Sequence, residues 1–357
     1  MLNKILEAFD LDPKEYHALK FGDGLINNTW KVTDSKNEDM FILQRINKNV
    51  FISPLDIAEN LSKVGKYLAQ HHPDYLFVSP LPSVTGDYII PYTDGEYYRL
   101  LPYVKNSVTI NTVQTRDEAF EAARQFARFT RLLADFDTAE LNYTLVDFHH
   151  LSKRFSQFQQ ALRSASKDRL NIASEAISKA QQLRGIAEMH SKIINEKLIP
   201  LRVIHHDTKI SNILFDAGHK GLCVIDLDTA MPGYFISDVG DMMRTYLSPS
   251  NEEEQDLSKV KIREDFFAAI VEGYLSEMGN ILTQTEKSLF VYSGKFMIYM
   301  QALRFLTDYL NNDIYYPVSY PKHNLVRAQN QLVLLDSYLQ AENRFLEIIN
   351  AYNVNPQ

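Results

Sequence analysis

The chain has 357 residues, more than one compact core usually serves, so two domains are expected. Hydrophobic residues at 45% and charged residues at 23% fit a globular protein and exclude a disordered or collagen-like chain. The net charge of −8 argues against general nucleic-acid binding, which needs a basic field, but leaves room for a local phosphate site.

From the start of the chain, residues 3–10 read as a short helix. Glu7 and Asp10 fall where a signal peptide would need an apolar core. No run approaches the roughly 20 apolar residues of a membrane span, so a reducing cytoplasm and no membrane contact are expected. Gly22, Asp23 and Gly24 form a turn, residues 29–33 a strand, residues 34–37 a second turn and residues 40–46 another strand. Pro54 opens a helix with Leu55, Ala58, Leu61, Val64 and Leu68 at helical spacing. Residues 84–90 and 96–101 read as two further strands, ended by Pro102. Helical periodicity then dominates over 117–133, 148–165 and 172–196. Residues 200–247 break into short strands and turns. Helices resume over 263–277, 284–310 and 327–351. Strands segregated from helices in this way predict an α+β fold rather than alternating βαβ units. The expected division is 1–103 and 104–357. The single cysteine, Cys223, lies in the apolar run 221–225 and reads as a buried small hydrophobe. It excludes an internal disulfide and a multi-thiolate metal site.

The segment 203–216 concentrates the chemistry. An apolar lead-in is followed by His205, His206, Asp207, Thr208 and Lys209, with Asn212 five residues after Asp207. Phosphoryl transfer needs such groups together. A carboxylate such as Asp207 accepts a hydrogen bond from the attacking hydroxyl and aligns it. Lys209 can reach the transferring phosphate and stabilise its charge. The Asn212 amide oxygen can hold Mg²⁺ without excess negative charge. The apolar run 221–225 then delivers Asp226, the first choice for a second metal ligand, with Asp228 two residues on as a further candidate. Asp238 and Asp241 make a third acidic cluster.

This segment resembles the phosphate-transfer motif of the aminoglycoside phosphotransferase/choline kinase superfamily, which shares the catalytic-loop and metal-Asp logic of protein kinases. Within it, the chain is similar to the N-acetylhexosamine 1-kinases and their bacterial relatives. The matching residues are 41–47, 206–209, 225–234, 237–241 and 304–310. The resemblance implies a two-lobed kinase-like fold. Residues 1–103 would form an antiparallel-sheet nucleotide lobe. Residues 104–357 would form a helical lobe with the catalytic loop, metal site and acceptor site. It also implies Asp207 as catalytic base, Asn212 and Asp226 on Mg²⁺, and Asp238 and His205 as supports of the loop. One residue departs from the pattern. The motif has Gly where this chain has His206, a change expected to be tolerated if φ there is not positive.

Residues 21–29, with Gly22, Gly24 and Asn28, suit a loop that folds over the phosphates of ATP. On the following strand the phosphate-facing residue is Gln44 or Arg45, depending on register. Arg45 is preferred because a cation is needed and Arg contacts phosphate bidentately, with Glu59 expected to orient it. Leu101 and Tyr103 lie in the connection expected to receive the adenine. Arg304 and Asp308, four apart on one helix face, with Asp313, Tyr315 and Arg244 are the candidate acceptor residues, and His323 and Arg327 are weaker ones. The expected activity is Mg-ATP-dependent phosphorylation of a small-molecule hydroxyl, foremost the 1-hydroxyl of an N-acetylhexosamine or related hexose. Choline, ethanolamine, homoserine or an aminoglycoside are alternative acceptors. An inactive nucleotide-binding scaffold is the reading from another class.

Overall fold

The computed structural model describes residues 2–22, 27–93 and 95–354. In chain order the elements begin with α1 (Leu2–Glu7), β1 (His17–Lys20), β2 (Asn28–Thr33), β3 (Asp39–Ile46), α2 (Pro54–His71), β4 (Ile90–Pro91) and β5 (Tyr97–Pro102). There follow α3 (Arg116–Leu132), α4 (Leu151–Ser164), α5 (Lys167–Ile172), α6 (Ser174–Gln182) and α7 (Gly185–Asn195). Next come β6 (Arg202–Ile204), β7 (Ile213–Phe215), β8 (Gly221–Val224), β9 (Met231–Gly233) and α8 (Phe235–Tyr246). The chain closes with α9 (Glu264–Met278), α10 (Gln284–Ser288), α11 (Phe290–Leu310), α12 (His323–Gln340) and α13 (Glu342–Val354). It divides into two compact units, one of residues 1–109, 132–146 and 212–232, the other of residues 110–131, 147–211 and 233–357.

The first unit holds a five-stranded antiparallel sheet in the order β1-β2-β3-β5-β4. Strand alternation assigns its two faces. Leu43 opposes Leu100, and both are buried with Val32 and Tyr98 against Ile5 and Leu6 of α1. Gln44 opposes Arg99 on the other face. Pro54 opens α2 at its first turn, and Ile57, Leu61, Val64 and Leu68 form its buried stripe. The β7–β8 hairpin pairs Ile213 with Val224, and Phe215 bridges to Val108. Cys223 is buried in this hairpin, and burial pushes its thiol up to about 12, so it stays protonated.

The second unit is mostly helical. Its centre is α11, buried on nearly every side, which fits its near-continuous apolar sequence. Helices α4, α8 and α12 pack on it. At Gly240 of α8 a Cβ would lie 2.3 Å from the Ser293 carbonyl oxygen of α11, so glycine there lets two helix backbones meet.

Several elements differ from expectation. Residues 84–90 are mainly a turn, because the Ser83 hydroxyl accepts from the Thr85 and Asp87 amides, and only Ile90 begins a strand. β1 was not foreseen. Residues 235–246, expected as turns, form α8. Its Asp-Val-Gly-Asp sequence suggests a turn, but its glycine serves packing. The helical stretch 172–196 is divided among α5, α6 and α7. Among the described residues, no helix is long and apolar enough to cross a membrane.

Candidate active site

In the first unit, chemistry gathers at the ends of strands. Asn212 immediately precedes β7, and Asp226 follows β8 by two residues. The Ile225 N–H donates to the Asn212 carbonyl at 2.9 Å, extending the hairpin pairing by one step. Asn212 and Asp226 are therefore neighbours at one end of the hairpin. Asp226 stands in the left-handed region (φ 59°, ψ 51°). A non-glycine residue there is uncommon, and such strain concentrates at functional positions. Among the described residues, no three His, Cys, Asp or Glu side chains cluster to hold a metal alone. One amide oxygen and one carboxylate nevertheless suit Mg²⁺, which takes few protein ligands and completes its shell with phosphate and water.

Asp228, the second metal candidate, is committed elsewhere. Its carboxylate accepts from an Arg99 guanidinium N–H and, at 2.7 Å, from Asn27 Nδ2. Its backbone carbonyl accepts from the Thr144 hydroxyl at 2.7 Å. Arg99 is 2% exposed, and its Nε and Nη2 donate to Gln44 Oε1 at 2.9 and 2.8 Å. This is a buried, hydrogen-bonded ion pair, and it corrects the expectation that Asp228 is open to a metal. It also settles what Gln44 does: it orients Arg99.

Arg45 lies on the Leu43 face of β3, and its Nη2 donates to Asn28 Oδ1 at 2.7 Å. The expected orientation of Arg45 by Glu59 is not found. Among the described residues no ion pair joins them. Glu59 is held instead by Lys63, one turn along α2, at 2.6 Å and by Asn142 at 3.0 Å, which keeps its carboxyl below the usual range. Gly22 has a positive φ of 71°, a backbone conformation that favours glycine, while Gly24 lies outside the described residues. Leu101 pairs with Ile42, and the Tyr103 N–H donates to the Met40 carbonyl at 3.0 Å.

In the second unit, α8 braces the segment 205–208. Asp238 and Asp241, three apart, share one helix face. The Asp238 carboxylate accepts from the His205 and His206 amides at 2.9 and 2.7 Å. Asp241 accepts from the Thr208 amide at 2.9 Å. The Thr208 hydroxyl donates to the Asp238 carbonyl at 2.9 Å, and the Tyr246 hydroxyl donates to the Thr208 carbonyl. Burial pushes the Asp238 carboxyl up to about 6, against the pull of His205 and the two amides. Burial also raises Asp241, opposed chiefly by Arg244. The Asp207 amide donates to His205 Nδ1 at 3.3 Å, while its carboxylate lies 3.6 Å from Lys209 Nζ. That carboxylate raises the Lys209 pKa, so the ammonium stays charged.

His206 has φ +67°, so the condition for easy tolerance of a side chain at the motif's glycine position, a φ that is not positive, is not met. The left-handed conformation costs about 1–2 kcal/mol for a residue with a Cβ. The two amide bonds to Asp238 hold the segment in it. The His206 ring packs where Gly233 has no side chain: a Cβ there would lie 2.4 Å from His206 Nε2 and 2.7 Å from Ile204 Cδ1. Gly233→Ala is therefore expected to destabilise the protein by about 1–3 kcal/mol through overpacking. Chemical denaturation reads this as a lower midpoint, and His206→Gly in the same chain is expected to restore part of it. An unchanged midpoint in the single variant would show that the ring moves aside freely.

The acceptor candidates separate into two groups. Arg304, Asp308 and Tyr315 line a cleft of about 470 Å³ together with Arg154, Gln157, Gln160, Thr307, Asn311 and Tyr316. Arg304 lies 5.5 Å from the ring centroids of both Phe148 and Tyr316. Asp308 does not pair with it. Its carboxylate accepts from the amides of Ile314, Tyr315 and Tyr316 at 2.8–3.0 Å and from Asn324 at 2.9 Å, which fixes the loop after α11. Asp313 and Arg244 lie outside the lining. Asp313 binds Arg169 at 2.8 Å. Burial opposes the charge of Arg244, but Asp241 at 3.0 Å and Glu252 at 2.7 Å more than restore it, making Arg244 part of the α8 brace. His323 and Arg327 both bind Glu253. Sequence reasoning missed Arg154, Gln157 and Gln160. Their helix was foreseen, and its polar face was the available signal.

A sequence profile of the phosphotransferase enzyme family matches residues 17–275. Among solved structures, a microcompartment-associated aminopropanol kinase aligns with a TM-score of 0.65 at 16% identity, covering 96% of this chain and 97% of that one. An amicoumacin kinase solved with AMP-PNP and Ca²⁺ aligns with a TM-score of 0.59 at 14% identity, covering 96% and 92%. A choline kinase from Cryptosporidium parvum aligns with a TM-score of 0.56 at 13% identity, covering 99% of each chain. These likenesses bear out the expected fold, an α+β kinase-like one with an antiparallel-sheet N-terminal part and a helical C-terminal part.

Proposed function

The chain belongs to the phosphotransferase enzyme family, and we propose that it transfers the γ-phosphoryl group of ATP to a hydroxyl of a small molecule, with Mg²⁺ as the metal. The observation that carries the proposal is the bracing of the Asp207 loop by Asp238 and Asp241. A carboxylate on a fixed loop can accept a hydrogen bond from the acceptor hydroxyl and take its proton as the new O–P bond forms. Lys209, kept charged by Asp207, would stabilise charge on the transferring phosphoryl oxygens. Asn212 and Asp226 would hold the metal, which when bound neutralises phosphate charge. Gly22, Asn28 and Arg45 would contact the phosphates. The Asn28–Arg45 hydrogen bond supports this by tying the cation to the first residue of β2. Leu101 and Tyr103 would flank the adenine.

For the acceptor we propose a sugar, either an N-acetylhexosamine or a related hexose, phosphorylated at its 1-hydroxyl. The cleft around Arg304 supports this. Its Arg, Gln, Asn and Tyr groups offer both donors and acceptors to hydroxyls, and its one acid, Asp308, is occupied by backbone amides. An amine acceptor needs an acid that is not so occupied. Amine alcohols are the second reading, because the chain shares the fold of an aminopropanol kinase and a choline kinase. Mg-ATP consumption is the test, across hexoses, N-acetylhexosamines, choline, ethanolamine, homoserine and aminoglycosides. Sugar-dependent ADP release is expected. Release with an amine alone would move the acceptor class, and ATP binding without turnover of any acceptor would favour the inactive scaffold.

A further inference from the structure

The cleft at α4 and α11 carries more positive charge than its surroundings balance. Arg154 and Arg304 both line it. Among the described residues, neither has a carboxylate within 4.0 Å. Arg154 donates only to neutral oxygens: Gln157 Oε1 at 3.1 Å and the carbonyls of Asp147 and Phe148 at 3.1 and 3.3 Å. Arg304 Nη1 donates to Gln301 Oε1 at 3.3 Å. Three buried polar atoms of the lining, Arg154 Nε, Thr307 Oγ1 and the Tyr316 hydroxyl oxygen, have no hydrogen-bond partner among the described residues. A buried donor left unpaired is costly, and so are two guanidinium groups in a cleft whose one acid, Asp308, is taken up by backbone amides and Asn324.

We propose that this cleft binds an anionic group of the acceptor, a carboxylate or a phosphate, through Arg154 and Arg304, with Thr307 as a further hydrogen-bonding group. Guanidinium groups are suited to both anions because their planar N–H forks match two oxygens at once. Titration behaviour is consistent with an excess of positive charge. Burial, and after it repulsion from Arg304, lowers the Arg154 pKa. His149, stacked on Phe148, is held well below its ordinary value by burial and then by His206, Arg304, Arg244 and Arg154. The assignment rests on the small-molecule phosphotransferase reading and, within its sugar class, favours acidic derivatives of a hexose over a neutral N-acetylhexosamine.

The test compares D-glucuronate and glucose 6-phosphate with D-glucose and N-acetylglucosamine, by Mg-ATP turnover and separately by calorimetric binding to the full chain. An acidic acceptor is expected to be favoured about 10- to 100-fold in kcat/KM or in affinity, the scale of a charged hydrogen bond. Glucuronate and glucose 6-phosphate, run as separate arms, identify which anion fits. Arg154→Gln and Arg304→Gln are expected to reduce that preference toward unity, chiefly through KM, while Arg304→Lys retains part of it. Equal use of neutral and acidic sugars would overturn the inference and leave phosphoryl transfer standing. If no acceptor is phosphorylated, the functional reading fails, and calorimetry still decides the site. Tighter binding of an acidic sugar that requires Arg154 would support it, and the absence of any charge preference would overturn it.

Discussion

Asp207→Asn is expected to lower phosphoryl transfer by about 10²- to 10⁴-fold, the range typical of a lost general base. The change removes the carboxylate and keeps the side-chain shape. It leaves the bonds that hold the loop untouched, because these run from the His205, His206 and Thr208 amides to Asp238 and Asp241. The Asp207 backbone amide, which donates to the His205 ring, is likewise unchanged. The fall should therefore appear in kcat, with thermal stability close to that of the parent chain. Initial rates at saturating Mg-ATP and a melting curve check both halves. A variant keeping more than a tenth of the parent rate would remove Asp207 from the role of base. Asp238→Ala provides the contrast. It strands two buried amides, so stability and activity should fall together.

Arg99→Leu is expected to destabilise the protein by about 3–5 kcal/mol, because it leaves the Asp228 carboxylate buried without its cation. Asp228 would keep only the Asn27 amide among its side-chain bonds, and Gln44 would lose both N–H groups it accepts from. The double variant Arg99→Leu, Asp228→Leu removes both charges and should recover much of the loss, since burying an ion pair is itself costly. Denaturant midpoints of the two single variants and the double variant form the cycle that isolates the pair. If the single change proves nearly silent, solvent reaches Asp228 in solution and the pair does not hold the sheet to the segment after β8.

The contrast between these two experiments marks what the sequence could reveal. The Asp207 segment is legible because its groups lie within eight residues and their chemistry demands that spacing. The Arg99–Asp228 pair spans 129 positions, and no local pattern joins them. Its neighbour Gln44 was weighed against Arg45 without the register that turns Gln44 to Arg99, and Glu59 was matched to Arg45 when Lys63 lay one turn away. The helix bearing Asp238 and Asp241 was hidden because Gly240 reads as a turn residue, whereas its role is to admit α11. The cleft proposed for the acceptor was half legible. Arg304 and Asp308 stood out as an i,i+4 pair, but only the folded backbone shows that Asp308 braces a loop and that Arg154 stands across from Arg304.

The close fit between His206 and Gly233 also constrains how sequences of this kind can diverge. An imidazole at 206 fills the volume that any side chain at 233 would need. The two positions, 27 apart along the chain, therefore cannot both enlarge. An ancestor that acquired bulk at 206 must already have carried glycine at 233, and a descendant can enlarge 233 only after 206 has shrunk. Substitution at this loop is thus order-dependent. Across related sequences, size at 206 and size at 233 should be inversely correlated, in a pattern visible from alignment alone.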